Sequence, residues 1–198
     1  MTGTGAMLAL QWRAHRRRLL VWVLATVGTL AFTAIAVAQL YNTPEEIASY
    51  GEAVVSDALI AINGHVEGID TLGGIIQDEF GFIASFLMPL IGLALIAALT
   101  RGEEESGRLE ALLAGKIDRR APVVSAMMLV LAAVVMMDVG FVLSLLAAGI
   151  EFGPAVLYAL ALGMVTVVFA ALAAVCAQVV LHSRGVFALG FLAVGLSY

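Results

Sequence analysis

Long apolar runs alternate with short polar segments along this chain of 198 residues. A helix that crosses about 30 Å of hydrocarbon needs about 20 apolar residues. Four runs meet that length: 19–40, 81–100, 122–149 and 155–181. A fifth run, 185–198, holds 14 residues and would reach only roughly 21 Å as a helix. The pattern predicts an all-α fold, a polytopic transmembrane helical bundle in one domain (1–198), with four full spans and one incomplete span.

The basic residues occupy alternate breaks between these runs. The ten Lys and Arg residues fall in three short stretches, at 13–18, at 101–120 and at Arg184, whereas the segment 41–80 and the turn 151–154 contain none. Cytoplasmic loops of helical membrane proteins carry an excess of Lys and Arg. We therefore predict a multi-pass protein of the cell (plasma) membrane with a cytoplasmic amino terminus, a cytoplasmic loop at 101–121 and an external segment at 41–80.

Composition supports this class of protein and argues against a nucleic-acid partner. Hydrophobic residues make up 62% of the chain and charged residues 13%, with a mean hydropathy of +1.05, which excludes a soluble domain. The net charge is −5, and binding to phosphate backbones needs a basic face instead. The basic residues before the first span either contact anionic lipid or only fix its orientation; they are Arg13, Arg16, Arg17 and Arg18.

The external segment and the cytoplasmic loop each contain a predicted helix. Within 41–80 the pattern favours a helix over 45–62, following Pro44, and the segment is either a solvated acidic loop or an element that gates a pathway. In the loop, consecutive acids suit the start of a helix, Gly115 suits its end, and leucines share one face. This amphipathic loop helix would rest on lipid, on the spans or on another protein.

The loop also resembles a known family. Its pattern Arg101-x-Glu-Glu-Glu-x-Gly-Arg-Leu-Glu-x-Leu-Leu follows a span containing Pro89-Leu90, and Thr71-Leu72-Gly73-Gly74 with Glu79 lies upstream. These motifs resemble ABC-2 type transporter permeases, particularly exporters of polyketide-like antibiotics. The resemblance implies a coupling helix that docks on a separate ABC ATPase subunit, which would hold ATP and Mg. The implied contact residues are Glu103, Glu104, Glu105, Gly107, Arg108, Leu109, Glu110, Leu112 and Leu113.

The chain departs from that family in two ways. Ala111 stands where Leu is common, and Lys116-Ile117-Asp118 replaces a Pro-Val-x pattern. Such permeases have at least six spans in each half, and the subgroup often fuses two halves. We therefore expect a second permease half, or the remaining part of a longer chain, to complete the bundle.

Few residues could carry chemistry in this chain. Gly115-Lys116 lacks the other residues of a phosphate-binding loop, so we predict no nucleotide site, no catalytic residues and no cofactor of its own. The three histidines fall in separate hydrophilic segments, which predicts solvated side chains and no metal site. Asp138 is the only ionisable residue within the four full spans. It would line a pathway, make a structural hydrogen bond or exchange a proton; Met137 and Pro89 are further pathway candidates.

Three functions are compatible with the sequence. The first is the membrane-spanning permease subunit of an ATP-driven exporter of small amphipathic molecules such as antibiotics or drugs. The second is an ion-coupled secondary transporter with Asp138 as its proton site. A single carboxylate without a second ionisable partner in the spans is weak support for a proton relay. The third is a non-transporting membrane scaffold whose loop recruits a partner.

Overall fold

A computed structural model of the chain describes residues 3–54, 64–107, 118 and 120–197. Within these ranges the secondary structure is helical, which confirms the predicted all-α fold. The described helices, in chain order, are α1 (Thr4–Leu40), α2 (Pro44–Val54), α3 (Leu72–Leu99), α4 (Arg101–Glu105), α5 (Ala121–Ala147), α6 (Phe152–Val179) and α7 (Ser183–Leu196).

Among the described residues, four stretches of helix are long and apolar enough to cross a membrane. They are α1, α5, α6 and the stretch Leu72–Glu105, which contains both α3 and α4. Helix α7 is a shorter apolar helix. Helix α1 begins well before the predicted run at Leu19. Its added turns are held by side chains at i, i+4 spacing, since Met7, Gln11 and Leu19 are all buried on one face.

The segment 41–80, which the sequence predicts to be external, contains α2 and the first turns of α3. Helix α2 starts with a capping box, in which the backbone N–H of Glu46 donates to Thr43 Oγ1 and the N–H of Thr43 donates to Glu46 Oε2. The hydrogen bonds that the Glu46 carboxylate accepts from the backbone N–H groups of Thr43 and Asn42 lower the pKa of this carboxyl. Helix α2 is described as far as Val54, so the rest of the helix predicted over 45–62 lies outside the described residues.

Glycine is required where the chain turns into α3. Gly68 has a φ of +74°, and Thr71 Oγ1 accepts a hydrogen bond from the N–H of Gly74 at 3.1 Å. A Cβ on Gly74 would lie only 2.0 Å from the carbonyl oxygen of Gly68. The glycines that punctuate the sequence here therefore allow the turn and the first turn of the helix to approach closely.

The chain divides into two compact units. The first consists of Met1–Val23, Met88–Met136 and Gly163–Tyr198, and the second of Leu24–Leu87 and Met137–Leu162. Within the first unit α3 and α6 are in backbone contact at Gly92, where a Cβ would lie 2.4 Å from the carbonyl oxygen of Thr166. Within the second unit the rings of Phe80 and Phe141 pack edge to face, with centroids 6.3 Å apart. Small residues and aromatic pairs thus supply the helix packing.

Candidate functional site

Polar side chains from three helices of the first unit meet in a cluster that we call the polar junction. It is defined by Gln11, His15, Arg101, Glu103, Glu105 and Ser183. The buried face of α1 supplies Gln11 and His15, the short helix α4 supplies the three charged residues, and α7 begins at Ser183. The junction therefore includes the start of the predicted coupling loop.

Gln11 connects α1 to the ends of two other helices. Its Nε2 donates to the carbonyl oxygen of Leu99 at 2.9 Å and to that of Pro122 at 3.3 Å. Leu99 is the last residue of α3, where the carbonyl groups have no partner within their own helix. A fully buried glutamine thus satisfies a helix end that would otherwise be left without a hydrogen bond in an apolar setting.

His15 lies one turn further along the same face of α1. Its Nε2 is 2.5 Å from Oε1 of Glu103, and the two side chains are only 12% and 2% exposed. The imidazole and the carboxyl group thus form a buried hydrogen bond between α1 and α4. The prediction of a solvated His15 is wrong, because its position four residues after Gln11 directs it into the packed face of α1. His65 and His182 are exposed.

The other two junction contacts involve α6 and α7. Arg101 Nε donates to the carbonyl oxygen of Ala177 at 2.6 Å, and its Nη1 is paired with Glu104. Glu105 accepts hydrogen bonds from both the backbone N–H and the hydroxyl of Ser183, each at 2.8 Å. Helix α7 lacks a side-chain cap of its own, so Glu105 caps it from another helix with a favourably placed negative charge.

These contacts divide the predicted ATPase-contact residues. Glu103 and Glu105 are held within the chain, and Glu103 is too buried to meet another protein. The side chain of Glu104 is 40% exposed. Helix α4 ends at Glu105, and Gly107 has a φ of +71°. The helix that carries the three glutamates is therefore interrupted here and does not run on as the single amphipathic helix that the sequence predicts. Arg108, Leu109, Glu110, Leu112 and Leu113 lie outside the described residues.

The three pathway candidates have different surroundings. In the second unit, Asp138 is half-buried on α5, and its Oδ1 has no hydrogen-bond partner among the described residues. Met137 is 1% exposed and is part of the packed interior instead of an open lining. In the first unit, Pro89 is buried within α3. Of the three candidates, Asp138 is therefore the best supported for a role other than packing.

The four arginines of α1 are all exposed. None of them has a carboxylate partner within 4.0 Å in the described parts of the chain. The side chains are therefore free to meet an anionic surface. The described residues hold no cluster of three or more His, Cys, Asp or Glu side chains that could bind a metal ion.

Comparison with known proteins gives one relative. No protein-family model matches the chain. The chain is 31% identical over 199 aligned positions to the multidrug efflux system permease protein Rv1217c of Mycobacterium tuberculosis (strain ATCC 25618 / H37Rv), an alignment that covers all of this chain and 36% of that protein. Over its whole length the chain is therefore similar to part of a permease. The chain spans about a third of the length of this relative, and it is a multi-pass membrane protein.

Sequence reasoning on the permease missed a second polar contact, between α2 and α3. The hydroxyl of Tyr50 lies 2.8 Å from Oδ2 of Asp78 and 2.9 Å from Oε1 of Glu79, and the ring of Tyr41 packs edge to face on it. Burial, followed by these two hydrogen bonds, raises the pKa of Tyr50. The only signal of this contact in the sequence was Tyr50 itself, an aromatic residue within the polar helix predicted over 45–62.

Removal of this hydroxyl should loosen α2. We expect Tyr50→Phe to lower the stability of the permease by about 1–3 kcal/mol, because two carboxylates lose a buried donor. A raised pKa favours the folded state below the unfolded value of about 10 and loses that contribution as pH rises further. Thermal unfolding at neutral pH and above pH ~10 should therefore show the wild-type advantage shrinking at alkaline pH. Tyr41→Phe, which keeps the ring contact, is the matched control, and an equal loss in both variants would contradict the assignment.

Proposed function

We propose that the permease forms part of the membrane pathway of an ATP-driven exporter of small amphipathic molecules such as antibiotics or drugs. The name of its relative, a multidrug efflux system permease, supports a drug-like cargo. In this proposal the loop 101–121 faces the cytoplasm and docks on a separate ABC ATPase subunit, which binds ATP and Mg²⁺. The confinement of Lys and Arg to alternate breaks supports that orientation.

The observation that carries the proposal is the way in which the polar junction holds the loop. Three contacts from within the short helix α4 join the start of the loop to α1 through His15, to α6 through Ala177 and to α7 through Ser183. A displacement of the loop would therefore act on three helices and would not be absorbed by one flexible connection. Transport that is driven by a docked ATPase requires such a link between the docking surface and the spans.

The same arrangement places a requirement on the ATPase. A partner can shift the bundle between two arrangements only if it binds them with different affinity. In this proposal the nucleotide-bound and nucleotide-free states of the ATPase favour different positions of the loop. The contacts of Glu103 and Glu105 then convert that preference into movement of the attached helices.

The proton-coupled alternative is supported by one observation. Asp138 has a buried carboxylate oxygen without a hydrogen-bond partner among the described residues, in a segment apolar enough to cross a membrane. A protonatable group in such a setting is a candidate proton site. This alternative predicts transport that needs no ATPase and that is abolished by Asp138→Asn.

Binding of the ATPase subunit tests the proposal directly. We expect wild-type permease to co-purify with its ATPase from detergent and to increase its ATP turnover. The double variant Leu109→Asp, Leu112→Asp should lose at least tenfold in binding, because two charges would replace the apolar stripe, and tenfold corresponds to about 1.4 kcal/mol. The control is Leu181→Asp, since Leu181 is 79% exposed in the connection between α6 and α7.

The controls distinguish a loss of docking from a failure of the variant to fold or to insert into the membrane. All variants should reach the membrane and elute at the same size from a gel-filtration column. Equal binding by the wild type and the double variant would overturn the docking role of the loop. Failure of wild-type permease to bind any ATPase, together with transport that depends on Asp138, would replace the exporter proposal by the proton-coupled one.

A further inference from the structure

A groove of about 350 Å³ opens in the first unit beside the polar junction. Helix α1 contributes Arg18 and Trp22, α7 contributes Ser183 and Phe187, and the third side is formed by Gly102 of α4 and alanines of α3 that include Ala98. All of these residues belong to the same compact unit. The groove is thus built by the ends of several helices around a space that the described chain leaves open.

The lining changes from polar to apolar along both α1 and α7. On α1 the order is Arg18 and then Trp22, and on α7 it is Ser183 and then Phe187, with the members of each pair four positions apart. One turn of helix is about 5.4 Å. On the third side Gly102 is followed at the same spacing by Ala98, toward the middle of α3. The groove therefore has a polar end and an apolar end about one helical turn apart.

The polar end coincides with the expected edge of the membrane. Arg18 is the last residue before the apolar run that begins at Leu19, and Trp22 lies one turn further into that run. Trp is enriched at the level of lipid headgroups, and Lys and Arg near a membrane surface attract anionic lipid. The groove presents both residue types on one face of α1, with small alanines opposite them.

Arg18 differs from the other arginines of α1. Arg13, Arg16 and Arg17 are exposed but do not line the groove. Arg18 has no acidic partner within 4.0 Å in the described ranges. The two oxygens of Glu105 near the groove accept hydrogen bonds from Ser183, so Arg18 provides a guanidinium at the polar end that is not engaged in an ion pair with a described residue.

We propose that this groove is a binding site for one anionic phospholipid. Its phosphate pairs with the Arg18 guanidinium, and the upper part of an acyl chain lies between Trp22, Ala98 and Phe187. Charge complementarity selects the headgroup, and the apolar end accepts the chain. The site is distinct from a diffuse attraction of lipid to all four arginines, because only Arg18 has an apolar groove beneath it.

Quenching of Trp22 by brominated acyl chains tests the site. The full-length permease is placed in nanodiscs of phosphatidylcholine, with Trp22 kept as the reporter and every other tryptophan, including Trp12, changed to Phe. Either brominated phosphatidylglycerol or brominated phosphatidylcholine is then added at equal mole fraction. We expect stronger quenching by the anionic lipid, with an apparent preference of about fivefold, the ratio that one basic residue contributes at an anionic surface.

Matched variants distinguish the site from general electrostatics. Arg18→Gln should abolish the preference, whereas Arg17→Gln, one residue away and outside the groove, should keep it. Ala98→Leu should reduce quenching by filling the apolar end while Arg18 remains. Because Ala98→Leu tests the chain and Arg18→Gln tests the headgroup, failure of one variant to fold leaves the other measurement decisive; folding is checked by gel filtration and thermal unfolding.

Several outcomes would overturn the proposal. Equal quenching by the two lipids, or an equal loss in Arg17→Gln and Arg18→Gln, would show that no specific site exists. Absence of quenching by either lipid would mean that protein covers the groove. Relief of quenching by an amphipathic cationic dye, with no dependence on Arg18, would mark a cargo site instead.

Discussion

Gly92→Ala is expected to cause a large loss of stability in the permease, because it overpacks a contact between two long helices. The new methyl group would lie 2.4 Å from the carbonyl oxygen of Thr166 and 2.8 Å from the backbone nitrogen of Ala170. Both are backbone atoms of α6, which cannot turn aside as a flexible side chain could. Overpacking a tight interior typically costs about 1–3 kcal/mol and occasionally more, and we expect the upper part of that range.

Gly28→Ala provides a matched control on α1. Its added Cβ meets no atom within 4 Å, and alanine is the better helix former. We expect Gly28→Ala to unfold at or above the wild-type temperature and Gly92→Ala to unfold well below it, as measured by thermal unfolding in detergent. If both variants unfold at the same temperature, α3 and α6 are not in the close contact described. Gly92→Leu should then also be tolerated, which the present packing forbids.

The hydrophobic pattern was sufficient to predict the class of fold but not the extent of α1. The described helix begins at Thr4, whereas the apolar run begins at Leu19, because the four arginines within 13–18, together with Gln11 and His15, interrupt any count of apolar residues. The burial of Gln11 and His15 depends on partners that lie far along the chain, such as the carbonyl of Leu99 and the carboxyl group of Glu103. The i, i+4 repeat of Met7, Gln11, His15 and Leu19 was the signal that could have indicated a packed face.

The three glutamates at the start of the loop show what a motif alone cannot determine. Glu103, Glu104 and Glu105 look alike in sequence, but successive residues of a helix point about 100° apart. One therefore meets His15, the next pairs with Arg101 at the surface and the third caps α7. Which glutamate has which neighbour depends on helices that are distant in sequence. The family resemblance assigned all three to one surface, and only the tertiary structure separates them.

That separation leads to the second large expected effect, for Glu103→Ala. The substitution leaves the buried His15 without its hydrogen-bond partner, and removal of one partner of a buried pair costs about 1–3 kcal/mol, or more for charged groups. If the junction transmits movement of the loop, Glu103→Ala should also lose most export while still binding the ATPase, because its side chain does not reach the surface. Glu104→Ala is the control, since exposed pairs such as Glu104 with Arg101 contribute only about 0–1 kcal/mol.

A double-mutant cycle identifies the contact responsible. His15→Ala, Glu103→Ala and the double variant are compared by thermal unfolding and by export of a fluorescent dye from vesicles containing the permease and its ATPase. Residues in direct contact show coupling energies of about 0.5–3 kcal/mol, whereas independent sites add. We therefore expect the double variant to be little worse than Glu103→Ala. Strictly additive losses would show that the two residues act separately, and normal export by a stable Glu103→Ala protein would remove the junction from the proposed coupling mechanism.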